Sequence, residues 1–296
     1  MVFPLPVSLY GARVHAVPAP DGVVLALDER GPRDADTIVF AHGFGQTRAA
    51  WQNTAVALAD VGWRTLSYDA RGHGDSSRRE DGDYSVEQLI GDLDAVCALS
   101  TRAPVVVGAS MGGLVGIAWA GRARAHCRAL VLVDITPRWE AAGVARIIHF
   151  MRAHPLGFAS LQEASDAIAS YLPHRRERKS PERLRTLLVP SPDGRLRWHW
   201  DPRMLTPIAE HANRHQSDLS DAARRLRVPT LLISGAQSDV VSDATINEFL
   251  ELVPHATHAR VASATHMLAG DENTAFTRHV RAFLDDLPTM DTTLQD

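Results

Sequence analysis

The chain has 296 residues, which is long enough for one large domain, or for one domain with an insertion. Hydrophobic residues make up 45% of it and charged residues 22%, which is ordinary usage for a globular protein. The net charge of −4 lacks the strong positive excess of nucleic-acid-binding surfaces, so we expect no nucleic-acid partner.

The N-terminal residues and the cysteines bear on where the protein works. The first apolar stretch has no basic residue before it and is interrupted by Pro4 and Pro6, which makes a poor signal peptide. No apolar run approaches the ~18 residues of a membrane-spanning helix. Cys97 and Cys127 do not make a disulfide framework. We therefore expect a soluble, cytoplasmic protein with no membrane partner.

Short runs rich in Val, Ile and Leu alternate with amphipathic segments along most of the chain. The runs are predicted strands, at 23–28, 37–42, 64–70, 104–110, 128–135, 229–235 and 258–263. The amphipathic segments are predicted helices, at about 48–61, 85–100, 111–123, 241–253 and 273–286. Apolar strands without polar alternation are typical of a parallel sheet buried on both faces. The pattern predicts an α/β fold with a mostly parallel, doubly wound sheet and helices on both of its faces.

One interval breaks this alternation. Between residues 137 and 223 no run resembles a buried strand, and amphipathic stretches predict three or more helices. We therefore predict a core made of residues 1–136 and 224–296, with a helical insertion of residues 137–223 between two strands of the sheet.

A serine lies between glycines where a predicted strand meets a predicted helix. Residues 108–112 read Gly-Ala-Ser-Met-Gly, which fits the G-x-S-x-G pattern of a nucleophile elbow in the strand-to-helix context that this motif requires. Such a sharp turn strains the serine backbone and exposes its hydroxyl at the carboxyl edge of the sheet. Ser110 is therefore the candidate nucleophile.

A serine nucleophile needs a base, and the base needs an acid that orients it. Asp239 follows the predicted strand 229–235, and His266 follows the predicted strand 258–263, so both project from the same edge of the sheet as Ser110. Asp134, at the end of the predicted strand 128–135, is a rival for the acid. We favour Asp239, with Asp134 supporting the floor of the pocket or the exit of the chain into the insertion.

The fourth part of such a site is a pair of N–H groups for the developing oxyanion. The residues His-Gly-Phe-Gly at 42–45 follow a predicted strand, and the N–H of Phe44 can act together with the N–H of Met111. Each such donor contributes roughly 3 kcal/mol to catalysis. His42 is expected to brace this loop.

With these parts placed, the chain resembles the α/β-hydrolase superfamily along nearly its full length. The motifs that carry the resemblance are HGFG, YDARGHGDS, GASMGG, SGAQSDVV and ATHMLAGD. Asp69 and Arg71 in the second motif are then expected to hold their loop together without taking part in chemistry. Epoxide hydrolases and haloalkane dehalogenases carry an aspartate in place of Ser110, and prolyl aminopeptidases usually carry a tryptophan in place of Met111, so the resemblance argues against these activities.

The resemblance also implies that residues 137–223 form a helical cap over the pocket. Trp139, Trp198 and Trp200 are then candidate substrate-binding residues. In an extended segment Trp198 and Trp200 share one face and His199 lies on the other, so at least one of the two tryptophans is expected to face the pocket.

Together these features predict a serine hydrolase that cleaves a small carboxylic ester or lactone through an acyl-enzyme on Ser110, without a metal or organic cofactor. Two alternatives stay open at this point. The same triad serves C–C bond hydrolases and cofactor-free haloperoxidases, which are perhydrolases, and a ligand receptor can retain the triad and signal through its cap. We expect a small-molecule substrate as the partner, and a monomer or homodimer.

Overall fold

The structure is a computed structural model, and it describes residues 11–123, 125–171, 184–185, 187–262, 264–266 and 273–288. For residues 206–215 it describes the backbone of a helix and not the side chains. Among these residues, no helix combines the length and the apolar character that a membrane crossing needs.

An eight-stranded sheet forms the centre of the fold. In chain order its strands are β1 (Arg13–Pro18), β2 (Val24–Arg30), β3 (Thr37–Ala41), β4 (Arg64–Tyr68), β5 (Val105–Ala109), β6 (Ala129–Val133), β9 (Thr230–Gly235) and β10 (Thr257–Val261). They lie in the order β1-β2-β4-β3-β5-β6-β9-β10. The pairings β1–β2 and β2–β4 are antiparallel and all others are parallel. The predicted mostly parallel sheet is confirmed, with all of its predicted strands present.

Helices cover both faces of the sheet, as predicted. Those flanking it are α1 (Gln52–Ala59), α2 (Val86–Cys97), α3 (Met111–Ala120), α7 (Asp243–Leu252) and α8 (Asn273–Asp285). Alternate residues of β5 point to opposite sides: Val106 joins the core cluster that contains α2, α3 and α7 residues, whereas Val105 and Val107 join the cluster under α1 and α8. A strand buried on both faces needs apolar residues at every position, which explains the continuous apolar run.

Strand β1 was not predicted because it has a different pattern. It pairs antiparallel with β2 at the edge of the sheet, and most of its residues are partly or fully exposed. An edge strand needs no continuous apolar run, so the rule that identified the central strands passes over it.

The insertion contains helices and a short hairpin. Its elements are α4 (Ala141–Arg152), α5 (Leu161–Tyr171), β7 (Leu188–Pro190), β8 (Leu196–Trp198) and the start of α6 (Leu205–Arg224). The three-residue strands β7 and β8 pair antiparallel and were not predicted, because they are too short to show a periodic pattern. Residues 172–183 of the insertion lie outside the described residues.

The last turns of α6 return to the core. Leu219, Ala222 and Ala223 belong to the main hydrophobic cluster together with residues of α3. Residue 223, where the sequence places the end of the insertion, therefore lies inside a continuous helix that leaves the insertion and packs on the sheet domain.

The first turn of α3 lies directly against the sheet backbone. A Cβ on Gly112 would stand 2.3 Å from the carbonyl oxygen of Ala41 in β3, and a Cβ on Gly108 would stand 2.4 Å from the carbonyl oxygen of Gly112. Only glycine permits this approach, which brings the start of α3 and the end of β5 beside the end of β3.

We expect Gly112→Ala to lower the free energy of unfolding by about 2 kcal/mol or more, because a clash with backbone atoms cannot be relieved by rotating a side chain. Gly91→Ala in α2 is the matched control, since a Cβ there meets nothing within 4 Å. Its better helix propensity should raise the free energy of unfolding by about 0.5–1 kcal/mol. Denaturant titration measures both, and a neutral Gly112→Ala would contradict the packing argument.

Candidate active site

Ser110 occupies a strained turn between β5 and α3. Its backbone angles are φ 46° and ψ −115°, a conformation that a residue with a Cβ rarely adopts. The turn is held by a hydrogen bond from the Ser110 N–H to the Val133 carbonyl (3.2 Å), and by the first bonds of α3, from Gly113 N–H (2.9 Å) and Leu114 N–H (3.0 Å) to the Ser110 carbonyl. The side chain is thereby presented at the carboxyl edge of the sheet.

The structure brings Ser110, His266 and Asp134 into one hydrogen-bonded chain. His266 Nε2 lies 3.2 Å from Ser110 Oγ, and His266 Nδ1 lies 2.8 Å from Asp134 Oδ2. An ionised carboxylate only accepts, so Nδ1 carries the proton and Nε2 is the basic nitrogen that faces the serine hydroxyl. The residues come from three different strand ends, after β5, β6 and β10.

Asp134 has a strained backbone, as Ser110 does, and its side chain is buried and hydrogen-bonded. It has no exposure to solvent and is, with Ser110, one of the two non-glycine residues of positive φ (50°) in the described part of the chain. Besides His266, its carboxylate accepts hydrogen bonds from the Gly235 N–H (2.8 Å) and the Ser238 hydroxyl (2.5 Å). Three donors satisfy a buried charge that would otherwise be costly.

The expectation that Asp239 orients His266 is wrong. Its carboxylate forms an ion pair with Arg146 of α4, and its side chain is 31% exposed. The helix α4 packs so closely here that a Cβ on Gly143 would stand 2.1 Å from the Asp239 carbonyl oxygen. The loop after β9 instead contributes the neighbouring Ser238 to the site, through its bond to Asp134. Asp134, the rival considered from the sequence, holds the position of the acid.

The turn after β3 lies against the serine. A Cβ on Gly43 would stand 3.2 Å from Ser110 Cβ, which is a tight contact. Neither the Phe44 N–H nor the Met111 N–H, the latter at the start of α3, donates a hydrogen bond to another described residue. An oxyanion hole requires two such backbone donors near the nucleophile, so these N–H groups are the candidates for it.

The family described as alpha/beta hydrolase fold matches residues 36–272 of the chain. The chain belongs to the alpha/beta hydrolase family.

Individual relatives support a hydrolase. An esterase from Mycobacterium tuberculosis is 31% identical over 265 residues, which cover 85% of this chain and 83% of the esterase. A 3-hydroxybutyrate-oligomer hydrolase from Cupriavidus necator is 27% identical over 79% of this chain and 84% of its own. The crystal structure of E-2-(acetamidomethylene)succinate hydrolase superposes with a TM-score of 0.80 at 22% identity, covering 93% of this chain and 99% of that one.

The expected structural roles of Asp69 and Arg71 in this hydrolase are confirmed. Asp69 is buried and accepts hydrogen bonds from the backbone N–H of Arg48 (2.7 Å) and of Asp75 (3.0 Å). Arg71 donates to both carboxylate oxygens of Asp92 (2.7 and 2.6 Å). Both groups tie loops of the core together, and neither contacts the Ser110–His266–Asp134 chain.

Three buried histidines surround the turn 43–45, and the sequence singled out only one of them as a brace. His42 Nδ1 bonds to the Gly43 carbonyl (2.9 Å) and His42 Nε2 accepts from the Ala70 N–H (2.9 Å), so it braces the loop as expected. His73 Nε2 accepts from the Gly45 N–H (3.1 Å). Burial lowers the pKa of His42, His73 and His199, that of His199 to about 4, so all three rings are neutral near pH 7.

The tryptophans predicted to bind substrate occupy different positions. The Trp198 and Trp200 rings lie on the same side of their segment, with centroids 6.5 Å apart at 18°. Trp200 is almost fully buried and its ring packs on Phe44 (4.9 Å), beside the candidate oxyanion hole. Trp198 lies farther out, against Phe150 and Phe158 of the insertion. Trp139 is partly buried against the main core cluster.

In the described part of the chain, no group of three or more His, Cys, Asp or Glu side chains is arranged to hold a metal ion. The polar groups at the centre of the site are the serine, the imidazole, the carboxylate and the backbone N–H groups. This set supports nucleophilic and acid–base chemistry.

We expect Asp134→Asn to lower kcat/KM by about 10⁴-fold, because an amide favours the wrong tautomer of His266. Asp239→Asn should change kcat/KM less than about ten-fold, since it breaks only a partly exposed ion pair with Arg146. Steady-state kinetics on one ester, with circular dichroism to show that both variants fold, measures the two effects. A larger loss of kcat/KM in Asp239→Asn than in Asp134→Asn would show that Asp239 orients His266.

Proposed function

We propose that this protein is a serine hydrolase that cleaves a small carboxylic ester or lactone through an acyl-enzyme on Ser110. The observation that carries the proposal is the hydrogen-bonded chain from Ser110 Oγ through His266 to the buried Asp134 carboxylate. The backbone N–H groups of Phe44 and Met111, which donate to no other described residue, support it. The esterase relative, 31% identical over most of both chains, agrees with ester cleavage.

In this proposal each group has one role. Ser110 Oγ attacks the carbonyl carbon while His266 Nε2 takes the hydroxyl proton, and Asp134 stabilises the imidazolium that forms. The N–H groups of Phe44 and Met111 bind the oxyanion of the tetrahedral intermediate. His266 then gives the proton to the leaving alcohol, and water, activated by the same nitrogen, releases the acid and restores the serine.

The residues of the insertion form the cap in this proposal, and its aromatic side chains bind the acyl part of the substrate. The indole N–H groups of Trp198 and Trp200 are both buried, and neither has a hydrogen-bond partner among the described residues. The Trp200 nitrogen lies 3.7 Å from the place where a Cβ on Gly45 would stand, next to the oxyanion turn. A buried donor left unpaired costs about 1–3 kcal/mol, and an acceptor oxygen on the acyl chain would recover this cost.

The proposed acyl group therefore carries an oxygen acceptor near the ester carbonyl, such as a hydroxyl or a second carbonyl. The relative named 3-hydroxybutyrate-oligomer hydrolase suggests which pair of substrates to compare. Trp139, packed against the main core cluster, is proposed to support the cap.

We expect wild-type protein to react with a fluorophosphonate probe and to hydrolyse p-nitrophenyl esters of short acids, and Ser110→Ala to lose both activities without unfolding. Intact-mass spectrometry detects the adduct, and circular dichroism shows the fold. Labelling that persists in the variant would place the nucleophile elsewhere. A different result would reject the proposed substrate class but not the serine nucleophile. In that case the probe labels the wild-type protein, which cleaves C–C substrates such as β-diketones but no ester or lactone.

We expect Trp200→Phe to lower kcat/KM for 3-hydroxybutanoate esters by about three- to ten-fold, which corresponds to one neutral hydrogen bond of about 0.5–1.5 kcal/mol. The same variant should leave kcat/KM for the butanoate ester within two-fold. Trp51→Phe is the control, because the buried indole N–H of Trp51 also has no partner among the described residues, but its ring stacks on Phe40 and packs at a tilt against Phe276 in the core. Equal losses on both esters would show that Trp200 only packs.

A further inference from the structure

Four of the six backbone N–H and C=O groups of the turn 43–45 have a hydrogen-bond partner among the described residues, and most of these partners are side chains. The Gly43 N–H donates to Gln46 Oε1 (3.1 Å), and the Gly43 carbonyl accepts from His42 Nδ1 (2.9 Å) and from the Gln46 N–H (3.1 Å). The Gly45 N–H donates to His73 Nε2 (3.1 Å). The Phe44 N–H belongs to the same peptide group as the Gly43 carbonyl, and it has no partner among the described residues.

The Gly45 carbonyl is held by a residue from the insertion. His199 Nε2 lies 3.2 Å from this oxygen, and His199 Nδ1 lies 2.8 Å from the Gly74 nitrogen. The Gly74 N–H can only donate, so Nδ1 accepts and Nε2 carries the proton that is donated to Gly45. A neutral imidazole thus joins two separate loops of the core, and its low pKa keeps it neutral near pH 7.

The surroundings of His199 fix this ring. It is 3% exposed, its ring lies 5.8 Å from that of His73, and the next residue, Trp200, packs on Phe44. Gly45 itself has φ 73°, and glycine imposes little backbone preference of its own. The direction of the peptides on either side of Phe44 therefore depends on the hydrogen bonds that hold the turn.

We propose that His199 is a positioning residue that couples the seating of the insertion to the oxyanion hole, by holding the Gly45 carbonyl so that the Phe44 N–H points at the developing oxyanion. This inference rests on the proposed function, in which Phe44 supplies one of the two oxyanion donors. In this view the insertion covers the substrate, and through His199 it also holds the backbone of the turn that carries the Phe44 N–H. Lifting the insertion would remove that support and slow the chemical step.

The test separates this role from simple adhesion between the insertion and the core. His199→Phe keeps an aromatic ring beside His73 and removes both hydrogen bonds. His199→Gln retains one amide donor for Gly45 and one carbonyl acceptor for Gly74. Tyr84→Phe is the matched control, because the Tyr84 hydroxyl makes another buried bond from the core to the insertion, to Asp201 Oδ2 (2.7 Å), and does not touch the turn 43–45.

Three quantities are measured at a temperature well below every melting temperature: kcat and KM for a p-nitrophenyl ester, and the inhibition constant of a trifluoromethyl ketone. This ketone forms an oxyanion when Ser110 adds to it, so its affinity reports on the oxyanion hole. We expect His199→Phe to lower kcat about ten-fold or more with KM within about two-fold, and to weaken the ketone by the same factor as kcat. His199→Gln should recover most of both losses, and Tyr84→Phe should leave both within about two-fold of the wild type.

Other results overturn the inference. If His199→Phe lowers the melting temperature but leaves kcat and ketone affinity unchanged, His199 only attaches the insertion. If Tyr84→Phe lowers kcat and ketone affinity as much as His199→Phe does, general loosening of the insertion is responsible and not the bond to Gly45. If His199→Phe does not fold, His199→Asn, which is too short to span both loops, replaces it with the same expected losses. Wild-type protein that cleaves no ester and does not bind the ketone would overturn the proposed function and this inference with it.

Discussion

The carboxylate of Asp134 is a charge without any solvent exposure, and the arrangement of the carboxyl edge of the sheet depends on satisfying it. A buried carboxylate is tolerated only when donors surround it. Here the donors come from two other segments: the end of β9 and the loop after it provide the Gly235 N–H and the Ser238 hydroxyl, and the loop after β10 provides His266. The same requirement that stabilises the charge therefore joins three strand ends and points the basic nitrogen of His266 at Ser110.

Backbone strain and close packing determine the positions of Ser110 and of the turn after β3. Ser110 and Asp134 both adopt positive φ, on adjacent strands β5 and β6, and the Ser110 N–H is bonded to the last residue of β6. The glycines on either side of Ser110 let α3 press against β3, so the turn after β3 reaches the serine. Backbone strain of this kind costs of order 1–3 kcal/mol at each residue and persists because the surrounding sheet holds it.

The insertion is attached to this edge by polar contacts of different kinds. Arg146 pairs with Asp239 on the outside, and Tyr84 and His199 make buried hydrogen bonds between the insertion and the core. A partly exposed ion pair contributes little to stability, whereas buried bonds to backbone groups fix geometry. Of these contacts, the one made by His199 reaches the turn that carries Phe44. In our proposal the position of the insertion therefore affects the geometry of the oxyanion hole.

Local patterns in the sequence were sufficient for the fold and for two residues of the candidate site. Continuous apolar runs identify strands buried on both faces. The glycine–serine spacing identifies Ser110, and position after the last strand identifies His266, because these signals depend only on neighbouring residues. The choice between Asp134 and Asp239 could not be made in this way, since both follow sheet strands that lie side by side. The docking of α4, which draws Asp239 to Arg146, and the donors that gather around Asp134 are long-range effects. The bond from His199 to Gly45 joins residues 154 positions apart. Only the tertiary structure decides such a contact, because it depends on how the insertion packs against loops of the core.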